Sequence, residues 1–187
     1  MNKIMLAVAL VLCTAVPASA DDLDQRTQAS REVIQTFGKS LKGELQAAMK
    51  SGGPTEAIAV CKVKAPQIAS ELSESKGWRI ARTSLKTRNS GNAPDAWERK
   101  VLEDFDARKA AGEDPKTIDY REVVEVDGRP AFRYMKAIPT QGICLTCHGA
   151  EIAPPIEAQL NTLYPKDAAR GYAQGDIRGA FTIIQPM

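Results

Sequence analysis

The stretch Tyr120-Arg121-Glu122-Val123-Val124-Glu125-Val126-Asp127-Gly128-Arg129-Pro130-Ala131-Phe132-Arg133-Tyr134-Met135-Lys136-Ala137-Ile138 decides the fold class. Two runs rich in β-branched and aromatic residues flank Asp127-Gly128, a pair that accepts the positive φ angles of a tight hairpin turn. The spacing predicts a strand over 120–126 and a return strand over 131–138, stopped by Pro139. The loop from Pro139 to Gly142 then leads straight into Cys144-Leu145-Thr146-Cys147-His148. That pentapeptide has the C-x-x-C-H spacing of c-type haem attachment. Two thiols three residues apart on one turn reach the two vinyl groups of a single porphyrin, and the histidine after them offers an imidazole nitrogen to the iron. The other uses of C-x-x-C are a zinc site or a disulfide.

Upstream of the hairpin the pattern is mostly helical. Val33, Ile34, Phe37, Leu41, Leu45, Ala48 and Met49 fall at three- and four-residue steps from Asp21 to about Lys50. Ser51-Gly52-Gly53-Pro54 ends that helix, and Pro54 opens a second one, predicting an antiparallel pair across a short loop. The second stripe is Ile58, Cys61, Ala65, Ile68 and Leu72, with a kink or restart expected at Pro66 because proline lacks a backbone donor. A short strand follows over 78–84, then a polar loop over 86–94. Asp95 caps a further helix to about Ala111, with Trp97, Val101, Leu102 and Phe105 facing inward. Beyond His148, a short helix is expected over 156–163 and a last strand over 179–185. Helices first, then strands interleaved with helices through antiparallel connections, define an α+β protein. Small all-helical electron carriers differ: their C-x-x-C-H lies near the N-terminus, with a ligand methionine later. Here most of the chain precedes the motif.

The chain has 187 residues, enough for one domain with a real core. Its 25 basic and 23 acidic side chains form no basic tract, so nothing points to nucleic acid or to an anionic membrane. Residues 1–20 read as a cleaved signal peptide: Lys3 in a positive start, an apolar run over 4–16, and Ala18-Ser19-Ala20 as the cleavage site. The apolar run is shorter than the roughly 20 residues a membrane-spanning helix needs. The expectation is an exported protein that is not membrane-embedded, periplasmic in a bacterium, with residues 21–187 as a single domain. Cleavage removes Cys13 and leaves Cys61, Cys144 and Cys147, an odd number in an oxidising compartment.

His148 is the only histidine, so a bis-histidine iron site within one chain is excluded. The other axial position is open to Met49, Met135 or Met187, to a lysine, or to Cys61. Met135 lies near the motif in sequence, and Met49 reads as core packing. A thiolate from Cys61 would favour ferric iron and lower the potential, and Lys62 and Lys64 beside it would favour ionisation. A lone cysteine on an apolar stripe also serves as an inert small hydrophobe. Arg82, Lys86, Arg88 and Arg133 are candidates for the haem propionates, Tyr134 and Trp97 for the pocket wall, and Asp176 and Arg178 for a pair with each other.

Several segments together carry a family resemblance: Ala57-Ile58-Ala59-Val60-Cys61 with Ala65-Pro66; Gly77-Trp78-Arg79-Ile80-Ala81-Arg82-Thr83-Ser84; Arg88-Asn89 with Asn92-Ala93-Pro94-Asp95-Ala96-Trp97-Glu98; Arg133-Tyr134-Met135-Lys136; Cys144-Leu145-Thr146-Cys147-His148-Gly149; and Gly175-Asp176-Ile177-Arg178-Gly179-Ala180-Phe181. The chain resembles the c-type haem family of PAS-like fold, found as small exported cytochromes and as periplasmic sensor regions of bacterial histidine kinases. The resemblance covers most of the mature chain. It implies a PAS-like antiparallel sheet flanked by helices, one covalently attached haem c, and iron held by His148 and Cys61.

The expectation that follows is a periplasmic monohaem cytochrome acting in redox or gas sensing, not an enzyme. The alternative is a soluble electron-transfer protein with no signalling role. A sensor would need a separate protein partner and a small gas ligand that enters on reduction.

Overall fold

The structure, a computed structural model, describes residues 19–187. The expected leader lies outside the described residues except for Ser19 and Ala20. Helix α1 (Ala20–Lys76) begins there, with Ser19 Oγ accepting from Asp22 N at 3.2 Å.

α1 is the expected helical pair. Its one non-helical residue is Gly53 (φ 71°, ψ −163°), a conformation open to glycine. The break divides it into arms over 20–52 and 54–76. Pro54 starts the second arm, where a missing N–H costs nothing. The helix runs through Pro66 without the restart, one of the two outcomes expected there. Lys62, whose carbonyl loses its partner there, is exposed, so water satisfies it. Gly77 ends the helix in the left-handed region (φ 66°), and Ser73 Oγ accepts from Ile80 N at 3.0 Å, turning the chain into β1 (Arg79–Thr83).

The remaining elements are α2 (Ala96–Ala110), β2 (Asp119–Val126), β3 (Arg129–Pro139), α3 (Gly142–His148), α4 (Pro154–Leu163) and β4 (Ile177–Pro186). The hairpin is as its sequence dictates, with Asp127 and Gly128 both at positive φ (51° and 74°). The four strands form one antiparallel sheet in the order β1-β4-β3-β2. The last strand therefore lies in the middle, between the first strand and the hairpin. Helices flank this sheet in a PAS-like α+β arrangement.

Each face of the sheet buries a separate core. Ile80, Phe132, Tyr134 and Ile183 pack against Val33, Ile34 and Phe37 of the first arm, with Ile68 and Leu72 of the second alongside. Met135, Ala137 and Ala180 pack against Val101, Leu102 and Phe105 of α2. A third cluster joins Ile58 of the second arm to Ile156, Leu160 and Tyr164 in and after α4. Full burial of each large apolar side chain contributes about 1.5–3 kcal/mol, so Phe37, Phe105 and Leu160 are major fastenings.

Three expected pocket or ligand residues serve the cores instead. Met135 is fully buried on the α2 side. Tyr134 donates to Asp119 Oδ2 at 2.6 Å. Trp97 lies beneath the Arg133 guanidinium, 4.1 Å from its ring centroid, and donates to Glu122. Arg133 itself pairs with Asp95 at 2.8 Å and with the buried Glu98 at 3.3 Å. Glu98 also accepts from Thr182 and completes the capping box of α2. Even-numbered and odd-numbered residues of β3 point to opposite faces, so Arg133 and Met135 face α2 while Tyr134 faces the first arm of α1.

One irregularity shapes the site. Ala137 pairs with Ala180 but Pro139 pairs with Ile177, so β4 carries one residue more than β3 between those rungs. Gly179 lies in this bulge at φ 149°, and a Cβ there would come within 2.4 Å of the Thr83 carbonyl oxygen. The extra residue breaks the strand alternation just before β4 runs regularly.

Candidate functional site

A cavity of about 430 Å³ opens between the two arms of α1, the end of β1 with the loop after it, and α3. Its size lies in the usual range for a small-molecule or cofactor site. Phe37, Leu41, Leu45 and Met49 line it from the first arm, and Ile58, Cys61 and Ala65 from the second. Cys144, Cys147 and His148 close it from α3. The four residues singled out from the sequence thus meet at one cavity, although Cys61 and Cys144 are separated by most of the fold. All three cysteines are free thiols.

The C-x-x-C-H segment forms two turns of helix rather than an open turn. Helical spacing keeps Cys144, Cys147 and His148 on neighbouring turns of one face. Gly149 ends the helix. A Cβ at that position would meet the Leu145 carbonyl oxygen at 2.7 Å, so only glycine lets the chain turn away directly after the histidine.

His148 is held firmly. Its Nδ1 lies 2.8 Å from the Ala169 carbonyl oxygen, which can only accept, so Nδ1 carries the proton. Nε2 is then the bare nitrogen, and Arg88 Nη1 donates to it at 3.2 Å. Burial, followed by the charges of Arg178 and Arg88, pushes the imidazole pKa down to about 3. The ring is therefore neutral, with a free lone pair, at any physiological pH. The backbone around it is pinned by Tyr172 N donating to His148 O at 3.0 Å and Gly171 N to Gly149 O at 2.9 Å.

Arg88 fastens this wall. Besides Nε2, it donates to the carbonyls of Cys147 and Ala169 and pairs with Asp167, whose side chain is 1% exposed. Burial acts to raise the Asp167 carboxyl, but hydrogen bonds from Arg88, Ala169 N and Arg170 outweigh it and hold the pKa below the usual carboxylate range. The Arg88 side chain thus has its own counter-ion.

Cys61 is half-buried on the second arm. Burial raises its thiol pKa, and the opposing positive charges come from Arg82, Arg178 and Arg88. Lys62, one of the two lysines expected to do this, is engaged elsewhere: its Nζ donates to the Leu163 carbonyl at 2.9 Å. The expected pairing of Asp176 with Arg178 also fails, since Asp176 binds Lys109 at 2.8 Å. Met49, read from the sequence as core, lines the cavity, whereas Met135 does not. Asp167, Ala169, Tyr164 and Arg178 belong to the site and were missed as such. Of these only Arg178 carried a signal, a glycine directly after it in a strand.

A helical pair packed with a four-stranded antiparallel sheet defines an α+β protein of PAS-like fold, here with a cavity lined by thiols and an imidazole. Residues 13–186 match the family model described as Tll0287-like (Tll0287), and the chain belongs to that family. Its fold is similar to the crystal structure of the cyanobacterial heme-protein Tll0287: 23% of residues are identical, the TM-score is 0.66, and the match covers 91% of this chain and 98% of the other. No curated protein matches the chain.

Proposed function

We propose that this protein is a periplasmic monohaem c-type cytochrome acting in redox or gas sensing. In this reading haem is attached through Cys144 and Cys147, and iron is held by His148 and Cys61. The carrying observation is the convergence of three free thiols and one neutral imidazole on a single, largely apolar cavity. The lining suits haem: aliphatic and aromatic side chains for the porphyrin faces, two soft or borderline donors, and four cationic side chains (Arg82, Lys86, Arg88, Arg178) with no carboxylate among the lining residues. Membership in a family that includes a cyanobacterial heme-protein supports the same cofactor.

A bound haem supplies one-electron chemistry at iron, at a potential that a thiolate ligand lowers. The chain's own residues do the rest. The Ala169 carbonyl orients the His148 ring and keeps its proton on Nδ1, away from the metal-binding nitrogen. Arg88 gives up one contact, to Nε2, and keeps its bonds to Asp167 and to two carbonyls. The apolar wall excludes water from both sulfur and iron. No carboxylate lines the cavity, and in this reading the protein senses or carries electrons rather than acting as an enzyme.

The alternative is a soluble electron carrier, favoured by Ile143, which lines the cavity beside Cys144 while remaining 43% exposed. Visible spectra of the purified protein in both oxidation states, with and without carbon monoxide, test the whole reading. A sensor takes up carbon monoxide on reduction, and a carrier does not. Cys61→Ser removes the thiolate-type ferric spectrum and raises the potential. An unchanged spectrum in that variant would transfer the ligand role to Met49.

A further inference from the structure

Two half-buried arginines in the cavity wall lack counter-ions. Arg82 on β1 and Arg178 at the bulge of β4 both line the cavity. Among the described residues, no hydrogen bond or ion pair involves either guanidinium, and the Arg178 Nε is a fully buried donor without a partner. The other arginines that are at least half-buried, namely Arg26, Arg88, Arg108, Arg133 and Arg170, are each matched to a carboxylate. A buried donor without a partner, such as the Arg178 Nε, is costly and persists where something else satisfies it. Burial, with the like charge of Arg178 beside it, pulls the Arg82 pKa down to about 10, which reflects the same imbalance.

The backbone is built to create this pair. β1 pairs with β4 so that Arg82 lies opposite Phe181. Regular alternation would put Arg178 on the face of Ala180 and Thr182, against α2. The extra residue at Gly179 inverts it, and Arg178 lines the cavity. Ser84 locks the bulge by donating from Oγ to the Arg178 carbonyl at 2.8 Å. Lys86, by contrast, is exposed and lies over the Tyr172 ring, and Arg88 is neutralised by Asp167.

We infer that Arg82 and Arg178 form a two-point clamp for the pair of propionate carboxylates of a haem seated in this cavity, a reading that rests on the haem assignment above. Each guanidinium offers the planar fork that matches a carboxylate. Two separate cations facing one cavity suit a ligand that carries two separate carboxylates.

The test uses the holoprotein with 13C-labelled haem carboxylates and redox-difference infrared spectroscopy. Arg82→Gln and Arg178→Gln are each expected to shift one labelled carboxylate stretch, and the double variant both. Arg82→Lys should move its band less than Arg82→Gln does, because charge is kept and the fork is lost. The sulfur-to-iron charge-transfer band should stay in place throughout. The clamp is refuted if both labelled bands stay fixed in the double variant, or if the charge-transfer band moves in their place, which would assign the arginines to Cys61. Should a Gln variant not fold, the Lys variants decide by the same bands. A wild-type protein with no Soret band would instead defeat the haem reading itself, so the two failures are distinguishable.

Discussion

Replacing Gly179 by alanine probes the bulge and the site together. Gly179 has φ 149°, where L-residues are strained, at a cost of about 1–3 kcal/mol. The added Cβ would also stand 2.4 Å from Thr83 O and 3.0 Å from Ser84 Cβ. Real contacts of this kind do not fall below 3.0 Å, so β1 and β4 must part by at least 3.0 − 2.4 = 0.6 Å at that point. Neither strand moves freely there. Ser84 Oγ is bonded to Arg178 O, and Ser84 N to Asn92 O at 3.1 Å. Weakening such bonds costs about 0.5–1.5 kcal/mol each. A total near 3 kcal/mol lowers the melting temperature of a domain this size by about 6–12 °C. Differential scanning calorimetry of the purified protein measures it directly. Gly43→Ala is the control: this helical glycine has open space around its Cβ position, so alanine should stabilise by roughly 0.5–1 kcal/mol. A Gly179→Ala protein melting within 1–2 °C of wild type, about the shift of half a kcal/mol, would refute the account of the bulge as a glycine-dependent close approach.

Glu98→Ala removes the partner of buried Arg133, the acceptor for Thr182 and half of the α2 capping box. Loss of roughly 3–5 kcal/mol is expected in urea unfolding, because a buried cation is left with only the half-exposed Asp95. Glu98→Gln should cost clearly less. Acid titration provides a further check at Asp119. Burial acts to raise this carboxyl, but hydrogen bonds from Tyr134 and Arg31 prevail and hold its folded pKa below the unfolded value. Its contribution is therefore complete above the ordinary carboxylate range, near pH 4, and disappears as pH falls through the depressed folded value. With Arg31 nearly half exposed, that contribution is about 1 kcal/mol. Asp119→Asn should flatten this part of the acid limb in stability-versus-pH curves. An unchanged limb would assign acid sensitivity to Asp167 and Asp95.

Much of the fold was legible because its signals are local. Asp127-Gly128 specifies a hairpin through two positive φ angles, and Gly53-Pro54 splits α1 through one more. Asp95 with Glu98 makes a capping box from four consecutive residues. Whether Pro66 would restart the helix was not legible, because the cost of a proline in a helix depends on whether solvent reaches the freed carbonyl, which is a tertiary fact. The site divides in the same way. C-x-x-C-H is a contiguous pattern, and Cys61 could be suspected as the odd thiol. Which arginines face the cavity was not legible. Arg133, Arg88 and Arg82 look alike in sequence, yet one is neutralised by Glu98, one by Asp167 and one by no carboxylate among the described residues. The bulge that redirects Arg178 depends on how β4 registers against β3.

The two sides of the proposed iron site differ in how they are restrained, and that difference bears on the choice between carrier and sensor. His148 sits in a mesh: its ring is bonded to Ala169 O and Arg88, its carbonyl to Tyr172 N, and the next residue to Gly171 N. The Cys61 thiol has no hydrogen bond among the described residues beyond the helical bonds of its backbone. Its helical arm is tied nearby through Ile58 packed on α4 and Lys62 bonded to Leu163 O, and it begins at the glycine break. Strain at the metal is released where the restraints are fewest. Under the proposed ligation, Cys61 would be the less restrained of the two iron-holding residues and His148 the more firmly held. The Cys61 arm is also one half of the helical pair, whose partner arm packs on the central sheet through Val33, Ile34 and Phe37. Release of Cys61 would thus be felt at the outer surface of α1, where a protein partner can read it. A carrier gains nothing from such a hinge. Locking the arm by Gly53→Ala strains the break at φ 71° and separates the two roles. In a sensor, carbon monoxide uptake on reduction changes in rate or extent. In a carrier, neither variant nor wild type takes up the gas.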